Sequence, residues 1–326
     1  MSLTLITGAT GFIGSQVALH VLQAGYRARL AIRREEQADK LRRIFANYEK
    51  QLEFVIVPDI TVPGCFDEAL QGVEYVLHLA SPLPKPGSDD LVTPAKQGTV
   101  AILESAAKVP SIKKVVVTGS VISLVSLGEL KDGLVVREDN EISYTLPPDN
   151  IIPTLPPMGQ YHASKLAAHK ATLDFYSTTN PGFDIITLHP VFVYGRSLVQ
   201  ETADQLGGSC GSLFQSLFSE TPSSPQFNGV HVDDVADAHV RVLDDSVKGF
   251  RSYLLAAETS PWGDVKRFLE GRYPGVGFGL KTVDGGDISY RVDAGRAERE
   301  LGIGFKGLES MVGDVVDQQF ELRGTV

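Results

Sequence analysis

The feature that most restricts this chain stands at its start, where Leu3-Thr4-Leu5-Ile6-Thr7 runs into Gly8-Ala9-Thr10-Gly11-Phe12-Ile13-Gly14. A short apolar run followed by three glycines spaced three apart reads as a strand, a tight turn and a helix start. The residues that follow, Ser15 to Leu22, form an amphipathic pattern with Val17, Val21 and Leu22 on one side. Each glycine has its own task in such a turn. Gly8 lets the chain turn, Gly11 lets backbone approach a phosphate, and Gly14 lets helix and strand pack closely. The free N–H groups and positive dipole end of the helix suit a pyrophosphate. The spacing is Gly-x-x-Gly-x-x-Gly rather than the commoner Gly-x-Gly-x-x-Gly, and glycine turns also follow strands for structural reasons alone. Its place in the first possible βα unit of the chain favours a dinucleotide site.

Apolar runs recur at 3–7, 28–32, 52–57, 74–80, 112–118 and 183–189, with helical patterns near 12–24, 35–50, 64–71, 91–109 and 159–178. Six runs separated by helices predict a parallel sheet covered on both faces, an α/β fold of the Rossmann doubly wound type. Beyond residue 190 the pattern loosens. Stretches at 207–211 and 221–225 read as loops, and helices are expected at 233–245, 261–271 and 293–301. The expected organisation is a dinucleotide-binding domain over 1–190, with a return segment near 228–258. A smaller, mainly substrate-binding C-terminal domain covers 191–326. One link is unusually long: Leu127 to Met158 carries Pro147, Pro148, Pro153, Pro156 and Pro157. It follows the C-terminal end of a strand, where open α/β sheets bind ligands, so it is expected to border the substrate pocket.

Composition narrows the class. A net charge of −10 argues against a nucleic-acid or anionic-membrane surface. Two cysteines, Cys65 and Cys210, are too few and too far apart for a disulfide framework or a four-cysteine zinc site, and fit a reducing compartment. The start lacks a basic region before an apolar stretch, so the expected location is cytoplasmic. The longest apolar stretch, Val115 to Leu127, is too short and too polar to span a bilayer.

The chemistry points to Tyr161 and Lys165, four apart on a predicted helix and so on one face. A phenol is a poor acid at neutral pH, and a neighbouring ammonium favours its ionised form. Such a pair can give or take a proton at a carbonyl or alcohol oxygen. Ser120 ends the strand Val115-Val116-Val117-Thr118, where a doubly wound sheet presents functional groups. Its hydroxyl can hydrogen-bond a substrate oxygen, with Ser123 and Ser126 as rival candidates. After the second strand, NAD-specific folds place an acid for the ribose 2′-hydroxyl, whereas this chain has Arg33 and Arg34. Arg33 can lie on adenine and fork toward a 2′-phosphate, which favours NADP(H). His231, Asp233, Asp234, Asp237 and His239 superficially suggest a metal cluster but read as structural, and no metal is expected. His78 is expected beside the cofactor rather than as a base, and His162 is a weak candidate for the pocket wall.

Taken together these motifs resemble an extended short-chain dehydrogenase/reductase. The matching elements are the glycine turn, Asp59-Ile60, His78-Leu79-Ala80-Ser81-Pro82, Ser120, Tyr161 with Lys165, Leu188 to Gly195, Val232 to His239, and Arg296 to Gly302. Within that family the chain is most similar to the dihydroflavonol 4-reductase-like branch, which includes fungal ketone and aldehyde reductases. The resemblance implies Ser120, Tyr161 and Lys165 as a catalytic triad, with Lys165 also holding the nicotinamide ribose. It implies Asp59 and Ile60 near adenine, Ala80 along the cofactor, Pro190 and Val193 near nicotinamide, and Lys40 as a second contact to the 2′-phosphate. Three departures stand out. Gly119 replaces the branch's usual serine, Gln97 the asparagine near a structural-water relay, and Met158-Gly159-Gln160 the sequence that marks cinnamoyl-CoA reductases. The expected reaction is reduction of a ketone or aldehyde by NADPH in a monomer or homodimer. The expected substrate is a hydrophobic or aromatic small molecule, its pocket drawing on 81–86, 121–127, the long link and 192–218. The alternatives are a nucleotide-sugar epimerase or dehydratase using NAD, or a catalytically silent NAD(P) sensor.

Overall fold

A computed structural model of the chain describes residues 1–81, 90–222, 224–281 and 290–324. The alternation of apolar runs and amphipathic stretches becomes β1 (Leu3–Thr7), α1 (Phe12–Gln23), β2 (Arg27–Ile32), α2 (Glu36–Ile44), β3 (Leu52–Ile56), β4 (Tyr75–His78), α3 (Val92–Ala107) and β5 (Lys114–Thr118). The long link then holds β6 (Leu134–Val136). After it come α4 (Pro157–Thr179), β7 (Asp184–Pro190), β8 (Val193–Tyr194), α5 (Gly208–Leu217), β9 (Val230–His231), α6 (Val232–Arg241) and β10 (Phe250–Leu255). The chain closes with α7 (Trp262–Arg272), β11 (Tyr290–Val292), α8 (Gly295–Leu301) and α9 (Leu308–Arg323).

Seven strands form one sheet in the order β10-β7-β5-β4-β1-β2-β3, every pair parallel. The strand order turns back between β1 and β4, so the crevice for a ligand opens at the C-terminal ends of those two strands. Parallel strands are buried on both faces, and β1 is buried throughout. Ile6 packs on one side with Val17, Val21 and Leu22 of α1. Leu3 and Leu5 pack on the other with Phe66, Leu70 and Ile102. A separate apolar cluster joins Tyr194, Leu213, Leu217, Phe227, Trp262, Leu269, Met311 and Val315 on elements after β7. This is a Rossmann-like fold.

The seventh strand of the sheet, β10, lies in the return segment expected near 228–258. Other expectations change. The helix expected at 64–71 is a series of turns between Gly64 and Gly72, which have φ of +77° and +74°. Left-handed glycines at both ends leave too little chain for a helix. The helix expected at 35–50 breaks at Phe45 and continues as a 3-10 turn over 46–51. α5 begins inside the glycine-rich run assigned to a loop, and α9 was not anticipated. The long link is not free chain: β6 pairs with β11, and Glu138 accepts the backbone N–H of Leu254 at 3.0 Å.

Candidate active site

The glycine turn is built as its spacing requires. Gly8 has φ of +79°, and a Cβ there would lie 2.9 Å from the backbone nitrogen of Ala80. A Cβ on Gly14 would lie 2.1 Å from the carbonyl oxygen of Gly8. A Cβ on Gly11 would meet only the Gly8 oxygen, at 3.4 Å. Gly11 is therefore free of steric demand from the protein and faces outward beside exposed Thr10. It is also the N-cap of α1, where no side chain caps the helix. The first N–H groups of α1, at Phe12 and Ile13, are left for another acceptor. Thr7 joins β1 to β4: its hydroxyl oxygen accepts from the backbone of Leu79 and Ala80 at 3.1 and 3.0 Å. With both acceptor positions used, that hydroxyl donates to His78 Nδ1 at 3.0 Å. Burial pulls the His78 pKa down to about 4, with a smaller effect from the Lys165 charge. His78 is thus a neutral structural residue with its proton on Nε2.

Beside the glycine turn a cavity of about 470 Å³ is lined by Thr10, Arg34, Glu36, Gln37, Lys40, Leu41 and Val199. Lys40 donates to the carbonyl of Val199 at 2.7 Å and pairs with Glu201 at 3.0 Å. Arg33 is exposed but is not among the lining residues, and its backbone N–H donates to Gln37 at 2.9 Å. Its neighbour Arg34 takes the place in the wall, a residue that the argument from strand-end charge did not single out. Asp59 is exposed and bonds within its own loop, accepting from Thr61 N and Oγ1 at 2.8 and 2.7 Å. Those bonds hold its carboxyl below the usual range, with a lesser contribution from Arg33. Ile60 is half-buried in the core and fits against Gly98, where a Cβ would lie 3.0 Å from it.

On α4, Lys165 is buried and its ammonium lies 5.4 Å from the centre of the Tyr161 ring. It donates to Ser81 Oγ at 3.0 Å. Ser81 was expected only as pocket wall, and residues 82–86 of that expectation lie outside the described residues. Ser120 is the N-cap of a 3-10 turn over Val121–Leu124 that packs on α4. Ser123 Oγ accepts the Ser120 N–H at 3.0 Å, and the Ser123 N–H donates to the Ser120 carbonyl at 2.8 Å. The Ser120 hydroxyl proton remains available to a substrate oxygen. The two rival serines have structural work instead, Ser123 in this cap and Ser126 accepting the Ser143 N–H at 3.0 Å. His162 is not pocket wall. It is buried and bonded to the Val125 carbonyl at 2.8 Å, tying α4 to the Ser120 turn. Pro190 and Val193 are buried at the end of β7 and on β8.

The acidic and histidine residues around 231–239 belong to packing. His231 meets Asp314 at 3.0 Å, Asp233 pairs with Lys306 at 2.5 Å, and His239 bonds Thr118 at 2.7 Å. Among the described residues no group of three or more His, Cys, Asp or Glu is placed to hold a metal, and no helix is long and apolar enough to cross a membrane.

A glycine cradle at the switch point of a parallel sheet, with a tyrosine–lysine helix beside it, defines the extended short-chain dehydrogenase/reductase architecture. The chain belongs to the NAD dependent epimerase/dehydratase family, which residues 4–256 match. It is 41% identical to ketoreductase sphI of Aspergillus fumigatus, over 98% of both chains. It is 31% identical to ketoreductase CTB6 of Cercospora beticola, over 98% of this chain and 96% of that one. Among solved structures it resembles yeast methylglyoxal/isovaleraldehyde reductase Gre2 complexed with NADPH, with a TM-score of 0.86, 25% identity and full coverage of both chains.

Proposed function

We propose that the protein reduces a ketone or aldehyde, carried by a hydrophobic or aromatic small molecule, to the alcohol with NADPH. The observation that carries this reading is the buried Lys165 ammonium over the Tyr161 ring, anchored on Ser81, in a chain whose α1 begins with an uncapped glycine turn. The residues fit a phosphate-bearing dinucleotide. The open N-terminus of α1 suits a pyrophosphate, and Arg34 and Lys40 at the cavity, with Arg33 beside it, suit a 2′-phosphate. The ketoreductase relatives and the NADPH-bound neighbour support the same reading.

When bound, the nicotinamide supplies a hydride to the carbonyl carbon. Ser120 donates a hydrogen bond to the carbonyl oxygen and orients it. Tyr161 gives its phenolic proton to the alkoxide as it forms. The Lys165 ammonium stabilises the negative charge that the phenol oxygen takes on, and it would also hold the cofactor's ribose. Of eight exposed large hydrophobic residues among the described residues, five (Leu130, Ile151, Met158, Phe192 and Phe218) fall in the two segments assigned to the substrate pocket, which supports an apolar substrate.

Tyr161→Phe tests this. General acid catalysis is typically worth ~10²–10⁴-fold, so turnover of a carbonyl panel should fall by about that factor while NADPH affinity holds. The measurement needs a deuterium isotope effect showing that hydride transfer limits the wild-type rate. Near-normal turnover in that setting removes Tyr161 from the mechanism.

A further inference from the structure

We infer that His189 is a positioning residue for Ser120, and that residue 119 is glycine in order to admit its ring. The inference rests on the reading of Ser120 as the group that orients the substrate oxygen.

His189 lies on β7 with no exposed surface. Its Nδ1 is 3.1 Å from the carbonyl oxygen of Ser120, and its Nε2 is 2.8 Å from Thr187 Oγ1. A carbonyl can only accept, so Nδ1 carries the ring proton and Nε2 accepts from the threonine. Thr187 then accepts from Ser252 Oγ at 2.8 Å, on the neighbouring strand β10. The donors run in one direction, from Ser252 through Thr187 and His189 to Ser120. Burial holds the imidazole neutral, which this sequence of bonds requires. The ring plane is set by His169, whose ring stands edge-on with centroids 4.8 Å apart at 87°.

The need for this brace follows from where the sheet ends. The Gly119 N–H donates to the Leu188 carbonyl at 2.8 Å, and past that point β5 leaves its neighbour. Ser120 therefore has no strand partner for its main chain. Ser123 takes its N–H, and His189 and the Ser123 N–H take its carbonyl. Both backbone polar groups are fixed, and only the hydroxyl is left to turn. A Cβ on residue 119 would lie 2.7 Å from His189 Nδ1 and 3.0 Å from its Cε1. The departure at Gly119 and the histidine at 189 are thus one feature, in which the smaller residue makes room for the ring that holds the next residue in place.

Misplacing a reacting group by about 1 Å can cost ~10²-fold. His189→Leu should lower kcat about 10- to 100-fold with substrate KM and NADPH affinity within about twofold of wild type. His189→Asn puts an amide N–H where ring Nδ1 stands and should recover most of that loss. Gly119→Ala should lower kcat in the same way, again without weakening NADPH. Selective ¹⁵N-histidine spectra, assigned by loss of one signal in His189→Leu, should show residue 189 as the neutral Nδ1–H form. Full kcat in His189→Leu overturns the proposal, as does a His189→Asn enzyme no faster than His189→Leu, or an Nε2–H form in the spectra. If His189→Leu does not fold, Gly119→Ala decides: a slow enzyme with intact NADPH binding supports the brace and a wild-type rate overturns it. Ser120→Ala separates the two levels. If it turns over normally the reading of Ser120 fails; if it is slow while His189→Leu is fast, only the positioning role fails.

Discussion

Two alanine substitutions in one turn should fail in opposite ways. At Gly14 the new Cβ would sit 2.1 Å from the Gly8 carbonyl oxygen and 2.6 Å from its carbon. Ordinary contact begins near 3.4 Å, so α1 must move away from β1 by about 1.3 Å or the turn must open. Both contacts are backbone, which cannot rotate aside. Overpacking of this kind costs about 1–3 kcal/mol or more, while replacing a helical glycine by alanine returns about 1 kcal/mol. With backbone contacts this short the upper end applies, so the net expectation for Gly14→Ala is a loss of about 2 kcal/mol, read as a lower urea midpoint by circular dichroism. At Gly11 the Cβ meets one oxygen at 3.4 Å and otherwise open space. Gly11→Ala should cost only about 1 kcal/mol, through the poorer N-cap. Yet its methyl group occupies the approach to the α1 N–H groups, so NADPH affinity should fall at least about tenfold, which corresponds to ~1.4 kcal/mol. A Gly14→Ala protein with the wild-type urea midpoint, or a Gly11→Ala protein that binds NADPH normally by fluorescence titration, would refute the reasoning.

Stability should decline in mild acid. His78, His169 and His239 are buried, and their pKa values are pulled from 6.5 down to about 4 by desolvation. The unfolded chain therefore binds more protons between pH 6.5 and 4, and stability is lost as pH falls through that window. From pH 6.5 to 5 each histidine should contribute about 1.5 kcal/mol of loss, checked by urea unfolding at a series of pH values; a flat profile would contradict the neutral buried rings. For cofactor choice, Arg33→Asp and Arg34→Ala should each weaken NADPH by about 10- to 100-fold, the worth of a hydrogen bond to a charged group. NADH affinity should change far less, and equal losses for the two cofactors would exclude a 2′-phosphate contact.

Much of this arrangement was legible in the chain because local chemistry set it. The glycine spacing fixed a turn whose three members face three different neighbours, and the i, i+4 spacing put Lys165 over Tyr161. What escaped the reading depended on distant partners. Arg33 and Arg34 are adjacent and equally charged, and only the path of α2 decides which one lines the cavity. The role of His189 requires knowing that β5 and β7 are neighbours, a fact of sheet order rather than of spacing. The stretch 64–71 has helical polarity, but the left-handed glycines at either end outweigh it. α5 starts at a glycine in the left-handed region, with φ of +57° at Gly208, and the packing of Leu213 and Leu217 outweighs the loop-like composition.

The last strand of the sheet has a further consequence. β10 has a neighbour on one side only, and the backbone groups of Ser252 and Leu254 face away from β7. Arg296 donates to the Ser252 carbonyl at 3.4 Å, and Glu138 accepts from the Leu254 N–H at 3.0 Å. The two charged side chains lie 3.9 Å apart, with Glu138 nearly buried. An acid from the long link and a base from α8 thus occupy positions that an eighth strand would use. Open strand edges template the pairing of one chain with another, so this pair acts as an end-stop against stacking of molecules edge to edge. Shortening the link to widen substrate scope would take the acid away, and solubility would suffer before catalysis did.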